Sequence, residues 1–389
     1  MRPARRAGAW LAAPAAALLF LAAPAPAGAQ LSISGEIDLL ALNERDTRGL
    51  NRNFRFDSPY SQLRLRLFAQ HWVTDRIGIF AELLYDVAAD PRVYGAYLVV
   101  NELGGQSWLN ARLGMAPPML GSFALRDTYF MQNPLIGVPL LWQHRATLDG
   151  SGLARNEDLM RRRDQNVIGL PLLYTACWMM QWELLGQAGP FEYSLASTNG
   201  SLTNMAAMEE NGIAYMARLG MEPIPGIRFG VSGFRGAYIG GPLRDPLTRA
   251  TSFPGEPEDY IHRSGGYDVE VSYGKARFYS EGFTGDWEVP LIPEKLSSWS
   301  AYGELSYDVL PQWTPAVRVG MSAYSDISST NDQLGPRTGW DDDVLQVESA
   351  VSYRLAREVL FRLGWQHTRF QTGPEEPIDL LAAQVKAVF

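Results

Sequence analysis

Residues 379–389 read DLLAAQVKAVF. Leu381, Ala383, Val385, Ala387 and Phe389 fall on every second position, with Gln384 and Lys386 between them. Successive side chains of a β-strand point to opposite faces, so this period makes a strand with one apolar and one polar side. The period recurs upstream. Leu31, Ile33, Ile37 and Leu39 alternate with Ser32, Ser34, Glu36 and Asp38. Leu63, Leu65, Leu67 and Ala69 alternate with Arg64, Arg66 and Phe68, and Ile77, Ile79, Ala81, Leu83, Tyr85 and Val87 share one face. A soluble sandwich turns its polar faces to water. A transmembrane barrel turns its apolar faces to lipid and its polar faces to a lumen. Alternation alone does not separate the two.

Strand number and loop length do. The pattern predicts about sixteen strands, near 31–43, 60–73, 76–88, 91–101, 106–116, 174–186, 190–199, 212–223, 226–239, 266–274, 276–288, 297–309, 313–326, 341–354, 357–370 and 378–389. Each is close to the ~10 residues that a tilted membrane strand needs. Short connections, TDR (74–76), ELGGQ (102–106), GQAG (186–189), PIPG (223–226), YGK (273–275), LPQW (310–313) and LAR (355–357), alternate with long ones at 44–59, 117–173, 200–211, 240–265, 289–296, 327–340 and 371–377. AADPR (88–92) breaks the rule by being short. Outer-membrane barrels have short periplasmic turns and long external loops. The expected fold is therefore all-β, an antiparallel transmembrane barrel, with a count of fourteen or eighteen strands left open. The last strand is expected to close against the first, because open edges leave backbone groups unpaired in lipid. Leu381 to Phe389 would then face lipid, and Gln384 and Lys386 the lumen. Trp72, Trp108, Trp178, Trp182, Trp299, Trp313, Trp340 and Trp365 are placed as interfacial girdles.

The other terminus supports export. MRPARR (1–6) is basic, residues 9–27 are an apolar run with prolines, and Ala27-Gly28-Ala29 is a small-x-small site. This reads as a cleaved signal peptide, residues 1–29, followed by one barrel domain, 30–389. Removing residues 1–29 takes three arginines from 34 basic residues and none of the 42 acidic ones, leaving a net charge of −11. That balance argues against nucleic acid as a partner. The lone Cys177 forms no intrachain disulfide. No later run of 18 apolar residues forms a spanning helix.

With these features the chain resembles the general porins of Gram-negative outer membranes, which are sixteen-stranded. The resemblance covers the whole of 30–389 as architecture. The longest loop, 117–173, follows the fifth strand, and in porins that loop folds into the barrel and narrows the pore. GMAPPMLGSFALRDTYF (114–130) resembles the strand-to-loop passage of the phosphate-selective porin superfamily. FEYSLASTNGS (191–201) and ARLGMEPIPGIRFGVSGFRG (217–236) resemble porin-like proteins. With lysine only at 275, 295 and 386, the chain departs from the basic rings of the phosphate-selective members. The resemblance implies a passive diffusion channel for small hydrophilic solutes or ions, set in outer-membrane lipid, trimeric and without a cofactor. Phe389 resembles the terminal aromatic by which the barrel-assembly machinery recognises its clients.

The polar faces place acids Glu36, Asp38, Glu82, Asp86, Glu183, Glu192, Asp268, Glu270, Glu281, Glu304, Asp308 and Glu348 in the lumen. The bases there are Arg64, Arg66, Arg112, Arg218, Arg228, Arg277, Arg318, Arg362 and Lys386. Neither sign dominates, so at most weak cation selectivity is expected unless the constriction decides it. The 117–173 loop carries Arg126, Asp127, His144, Arg145 and the cluster Arg161, Arg162, Arg163. That cluster either grips an anionic solute or pairs with Glu157, Asp158 and Asp164 in a solvated face. NPLIGVPLL (133–141) is too apolar to hang in water and is expected to pack inside the barrel or against a neighbouring subunit.

Two other classes stay open. A surface hydrolase would need a histidine near an acid, and His367 with Asp341, Asp342 and Asp343 is the candidate. His71 is placed near a periplasmic strand end, and His144 and His262 in loops. No nucleophile elbow, zincin, phosphate-loop or CxxC pattern occurs. The other class is a structural or adhesive barrel plugged by its long loop.

Overall fold

The computed structural model describes residues 31–43, 62–86, 89–128, 133–150, 169–174, 178–204, 212–240, 256–290, 292–328, 337–371 and 377–389. The proposed signal peptide 1–29, Cys177 and Arg161 to Arg163 lie outside the described residues.

Sixteen strands form one closed antiparallel barrel. They are β1 (Leu31–Leu42), β2 (Gln62–Trp72), β3 (Ile77–Asp86), β4 (Ala89–Val100), β5 (Asn110–Ala116), β6 (Met179–Ala188), β7 (Phe191–Asn199), β8 (Ile213–Ile224), β9 (Ile227–Ala237), β10 (Ile261–Tyr273), β11 (Ala276–Val289), β12 (Ile292–Tyr307) and β13 (Trp313–Tyr324). After a separate small hairpin of β14 (Asp326–Ser328) and β15 (Arg337–Gly339), β16 (Val344–Arg354), β17 (Val359–Phe370) and β18 (Ile378–Val388) complete the wall. Each barrel strand pairs with its sequence neighbour, and β13 passes over the hairpin to β16. The circle closes where β1 pairs with β18. Gly35 and Phe389 exchange both backbone bonds there, N···O 2.8 and 3.1 Å. The barrel itself therefore presents no strand edge to lipid.

The period-two pattern decides which face is which. Trp182, Ile33, Leu195, Leu219, Val231, Leu381 and Phe389 are exposed on the outer face. Glu36, Arg66, Glu82, Arg112, Glu183, Glu281, Glu304, Arg318, Glu348 and Arg362 are buried on the inner one. This is the inversion of a soluble protein. The short turns gather at one end. Gly189 and Gly274 sit in two of them at φ 60° and 59°, the left-handed region where a residue without Cβ is unstrained. A close approach fixes a third glycine: a Cβ on Gly95 would collide with the Trp178 ring.

Several boundaries differ from the sequence pattern. Most of the expected loop 289–296 is strand, because β11 runs to Val289 and β12 begins at Ile292, with Val289 paired to Ile292 and Trp287 to Leu296. The prolines at 290 and 293 signal a loop, but the pairing is already irregular beyond Trp287 and tolerates them. β10 begins at Ile261 instead of 266, which places His262 on a strand rather than in a loop. β5 and β6 begin later than expected, after a 3-10 turn at Leu103–Gly105 and after residues 171–178 respectively. Two tryptophans assigned to the girdles are buried. Trp340 packs in the interior cluster, and Trp178 against Tyr94 and Gly95. Trp108, Trp182, Trp299, Trp313 and Trp365 remain on the outer surface.

Candidate pore and its lining

The interior of the barrel is not simply a ring of charges around water. Residues of the 117–173 segment bond to the inner faces of β11, β12, β13, β16 and β17. Glu281 on β11 accepts from the backbone N–H groups of Ser122 and Phe123, the latter at 2.6 Å, and from Trp142 Nε1 at 2.6 Å. Glu348 on β16 accepts from the Ile136 and Gly137 N–H groups at 2.9 and 2.7 Å. Arg318 on β13 lies between the carboxylates of Glu304 and Glu348 and donates to the Gly137 carbonyl at 2.7 Å. Arg362 on β17 donates to the Asn133 carbonyl, to Ser352 and to Gln384. A carboxylate that accepts several N–H bonds holds charge-assisted contacts, roughly twice as strong as neutral ones.

Arg126 is the counterpart supplied by the segment. Its helical turn, Phe123–Thr128, brings the guanidinium to Glu304 Oε1 at 2.9 Å and to the Tyr302 hydroxyl at 3.1 Å. It also sits 3.8 Å from the Tyr279 ring centroid, a cation–π contact. Burial on its own would lower the Arg126 pKa, but Glu304, Tyr302 and Glu281 around it raise it above the ordinary arginine value. The group is a fixed cation.

Around these bonds lies an apolar cluster. Leu120, Phe123, Val138, Leu141, Trp142 and Leu148 from the segment pack with Phe234, Phe283, Trp287 and Tyr302 from the wall and with Trp340 beyond β15. Leu135 and Ile136 belong to two smaller clusters, with Ala316 and Ala350, and with Leu40 and Leu380. NPLIGVPLL thus packs inside the barrel. His144 keeps partial contact with solvent, yet the surrounding protein pushes its imidazole down to about 4 by burial. Arg145 is not drawn to Arg126; it is exposed over the Tyr174 ring.

The charges nearer the short-turn end are arranged differently. Arg228 meets Glu192 at 2.8 Å, Glu222 at 3.6 Å and Glu270 at 3.9 Å, with 43% of its side chain exposed. Arg277 meets Asp308 at 2.6 Å, both 40% exposed. Arg218 links Glu192 to Asp268. Across the remaining wall the register sets acid beside base. Arg66 bonds Glu82, Arg112 bonds Glu183 at 2.6 Å, and Lys386 reaches Glu36 at 3.4 Å. Gln384 donates to Asp38 at 2.9 Å, and Arg64 stands opposite Asp38 on the same face. The side chains of Asp86 and Asp127 lie outside the described residues.

All described lining positions therefore share the inner face, but not one role. Glu304, Arg318, Glu348 and Arg362, expected to line the lumen, bond to the inserted segment, and Arg126 of the expected constriction loop joins Glu304 from the segment side. The reason is desolvation: charges covered by apolar loop residues must find partners. The role of Trp142, Trp287, Trp340 and Tyr302 is missed by the sequence pattern. Its one signal is the apolar run 133–142 in the middle of a loop. The candidate Asp–His pair also assembles differently. His367 lies on the outer face and meets Asp379 at 3.0 Å. Asp341 is buried and accepts from the Thr147 N–H at 2.7 Å, while Asp343 accepts from the Tyr324 N–H.

A closed sixteen-stranded antiparallel barrel with an apolar outer and charged inner face is the architecture of transmembrane β-barrels. No family model matches the sequence, and no curated protein matches it. Solved structures share the fold. The anion-selective porin of Comamonas acidovorans has a TM-score of 0.59 at 9% identity, covering 93% of this chain and 100% of its own. A loop-deleted OmpT, an outer membrane protein of Vibrio cholerae, gives 0.58 at 11%, covering 93% and 99%. The outer membrane channel DcaP of Acinetobacter baumannii gives 0.56 at 12%, covering 93% and 98%. At these identities the likeness is one of fold.

Proposed function

We propose that this protein is an outer-membrane porin of a Gram-negative bacterium, through which small hydrophilic solutes or ions diffuse passively. The observation that carries the reading is the inverted wall: exposed leucine, valine and aromatic residues outside, paired charges inside. Hydrated charges on a lumen let polar solutes pass where lipid does not. The 117–173 segment, held by Glu281, Glu304 and Glu348, filters by size. The partly exposed charges Glu192, Glu222, Arg228, Glu270, Arg277 and Asp308 filter by sign, and their mixture gives weak selectivity. One structural relative is anion-selective, a property that the paired acids here argue against. The reading requires no catalytic step and no cofactor. Phe389 acts as the assembly signal for the barrel-assembly machinery, and the working unit is a homotrimer.

The test is single-channel conductance of the refolded protein in a planar bilayer under a salt gradient. Stepwise openings with a small reversal potential are expected, and three equal substeps for a trimer. Folded protein that stays silent defeats the open-channel reading. The apolar cluster favours one second reading, a barrel plugged by its own segment. Silent protein that conducts after removal of residues 133–141 would establish that reading.

A further inference from the structure

The outer wall carries a groove that the proposed channel does not use. It has a volume of about 900 Å³ and is lined almost wholly by apolar atoms. It starts beside Leu103, in the short turn after β4, and crosses the wall to Arg235, two residues from the long-loop end of β9. Strands spaced about 4.8 Å apart make that crossing roughly 24 Å wide. Leu184, Leu195, Ala217 and Gly233 follow one another in register along its floor. A Cβ added at Gly233 would meet only the Ser264 carbonyl oxygen, at 3.8 Å, so the floor is open outward.

The next register row holds Trp182, Ser197, Tyr215 and Arg235. Trp182 and Tyr215 are exposed, and such amphipathic rings settle where lipid meets water. Arg235 is exposed beside them and has no ion pair among the described residues. Arg263, directly opposite on β10, is already matched by Glu288 at 2.7 Å. An apolar trough that ends at a lone guanidinium, at the level of interfacial aromatics, fits an acyl chain ending in an anion. Guanidinium matches phosphate geometry.

We propose that this groove is a binding site for a phosphate-bearing lipid, with its acyl chain over Ala217 and Gly233 and its phosphate on Arg235. The site is on the outer face and does not depend on whether the lumen conducts.

The test uses the full barrel in detergent and native mass spectrometry, with dioleoyl phosphatidic acid and dioleoylglycerol as probes. Heat-modifiable gel migration reports the fold of each variant. The wild type is expected to retain one phosphatidic acid molecule in preference to dioleoylglycerol. Arg235→Gln is expected to weaken phosphatidic acid about fivefold and leave dioleoylglycerol unchanged. Gly233→Leu, whose Cβ meets only the Ser264 carbonyl oxygen at 3.8 Å and whose side chain would occupy the floor, is expected to weaken both. Equal retention by all three proteins overturns the proposal, as does equal weakening of both lipids by Arg235→Gln. A lower oligomeric mass with unchanged lipid retention also overturns it, and assigns the groove to a subunit contact.

Discussion

Two arcs of the inner wall carry similar charges and treat them differently. On β11, β12, β13 and β16, Glu281, Glu304, Arg318 and Glu348 are buried and bonded to the inserted segment. On β7 to β10, Glu192, Arg228 and Glu270 bond mainly to each other and stay partly open. Both arcs follow the same alternation, so residue type and period do not explain the difference. Cover does. Where Trp142 and Leu141 lie over the wall, a charge without a partner costs several kcal/mol, and each side chain is matched by a backbone or side-chain group. Where water reaches, a pair at 3.9 Å is tolerable.

The sharpest way to break the comparison is at Glu348. Glu348→Ala leaves Arg318 half-matched and frees the Ile136 and Gly137 N–H groups. The expected cost is about 3–5 kcal/mol, read as a lower urea midpoint of unfolding in detergent, with a larger and noisier conductance as the segment loosens. Unchanged stability would mean that the segment is held by its apolar contacts alone. Trp142→Ala tests those contacts. It removes a fully buried ring and its bond to Glu281, with an expected loss of roughly 3–5 kcal/mol and again a wider channel. If conductance is unaltered in both variants, the ion path does not pass the segment.

The open arc should answer in the opposite sense. Arg228→Gln with Arg277→Gln is expected to change stability by no more than about 1 kcal/mol while moving the reversal potential towards cations. A shift towards anions would refute the assignment of those groups to the ion path.

The smallest effect is at His144. Its folded pKa, about 4, lies below the unfolded value near 6.5. The unfolded chain therefore binds the extra proton first, and stability falls as pH drops from about 6.5 towards 4. His144→Gln should flatten that part of the pH–stability curve relative to wild type. Identical curves would place His144 in free exchange with solvent.

Much of this barrel was legible in the chain. Leu381 to Phe389 face outward with Gln384 inward, as their spacing predicts. The strand number followed from the same period and the loop lengths. What the period does not carry is the long-range pairing of segment and wall. Arg126 meets Glu304 and Gly137 meets Glu348 across 178 and 211 residues. Nothing local marks Glu281 as an anchor and Glu270 as an open group, since both are acids at inward positions. The strand at 292 was hidden for another reason, because two prolines imitate a loop.

The joint between Gly35 and Phe389 has a consequence for chain order. A cylinder without edges has no privileged first strand. Any short turn, such as the one at Gly274, is as good a place to open the polypeptide as the natural joint, once a linker ties residue 389 to residue 31. A circularly permuted chain opened there is expected to reach the same barrel. Its first and last strands would then be β11 and β10, so a different pair would have to find each other last during assembly.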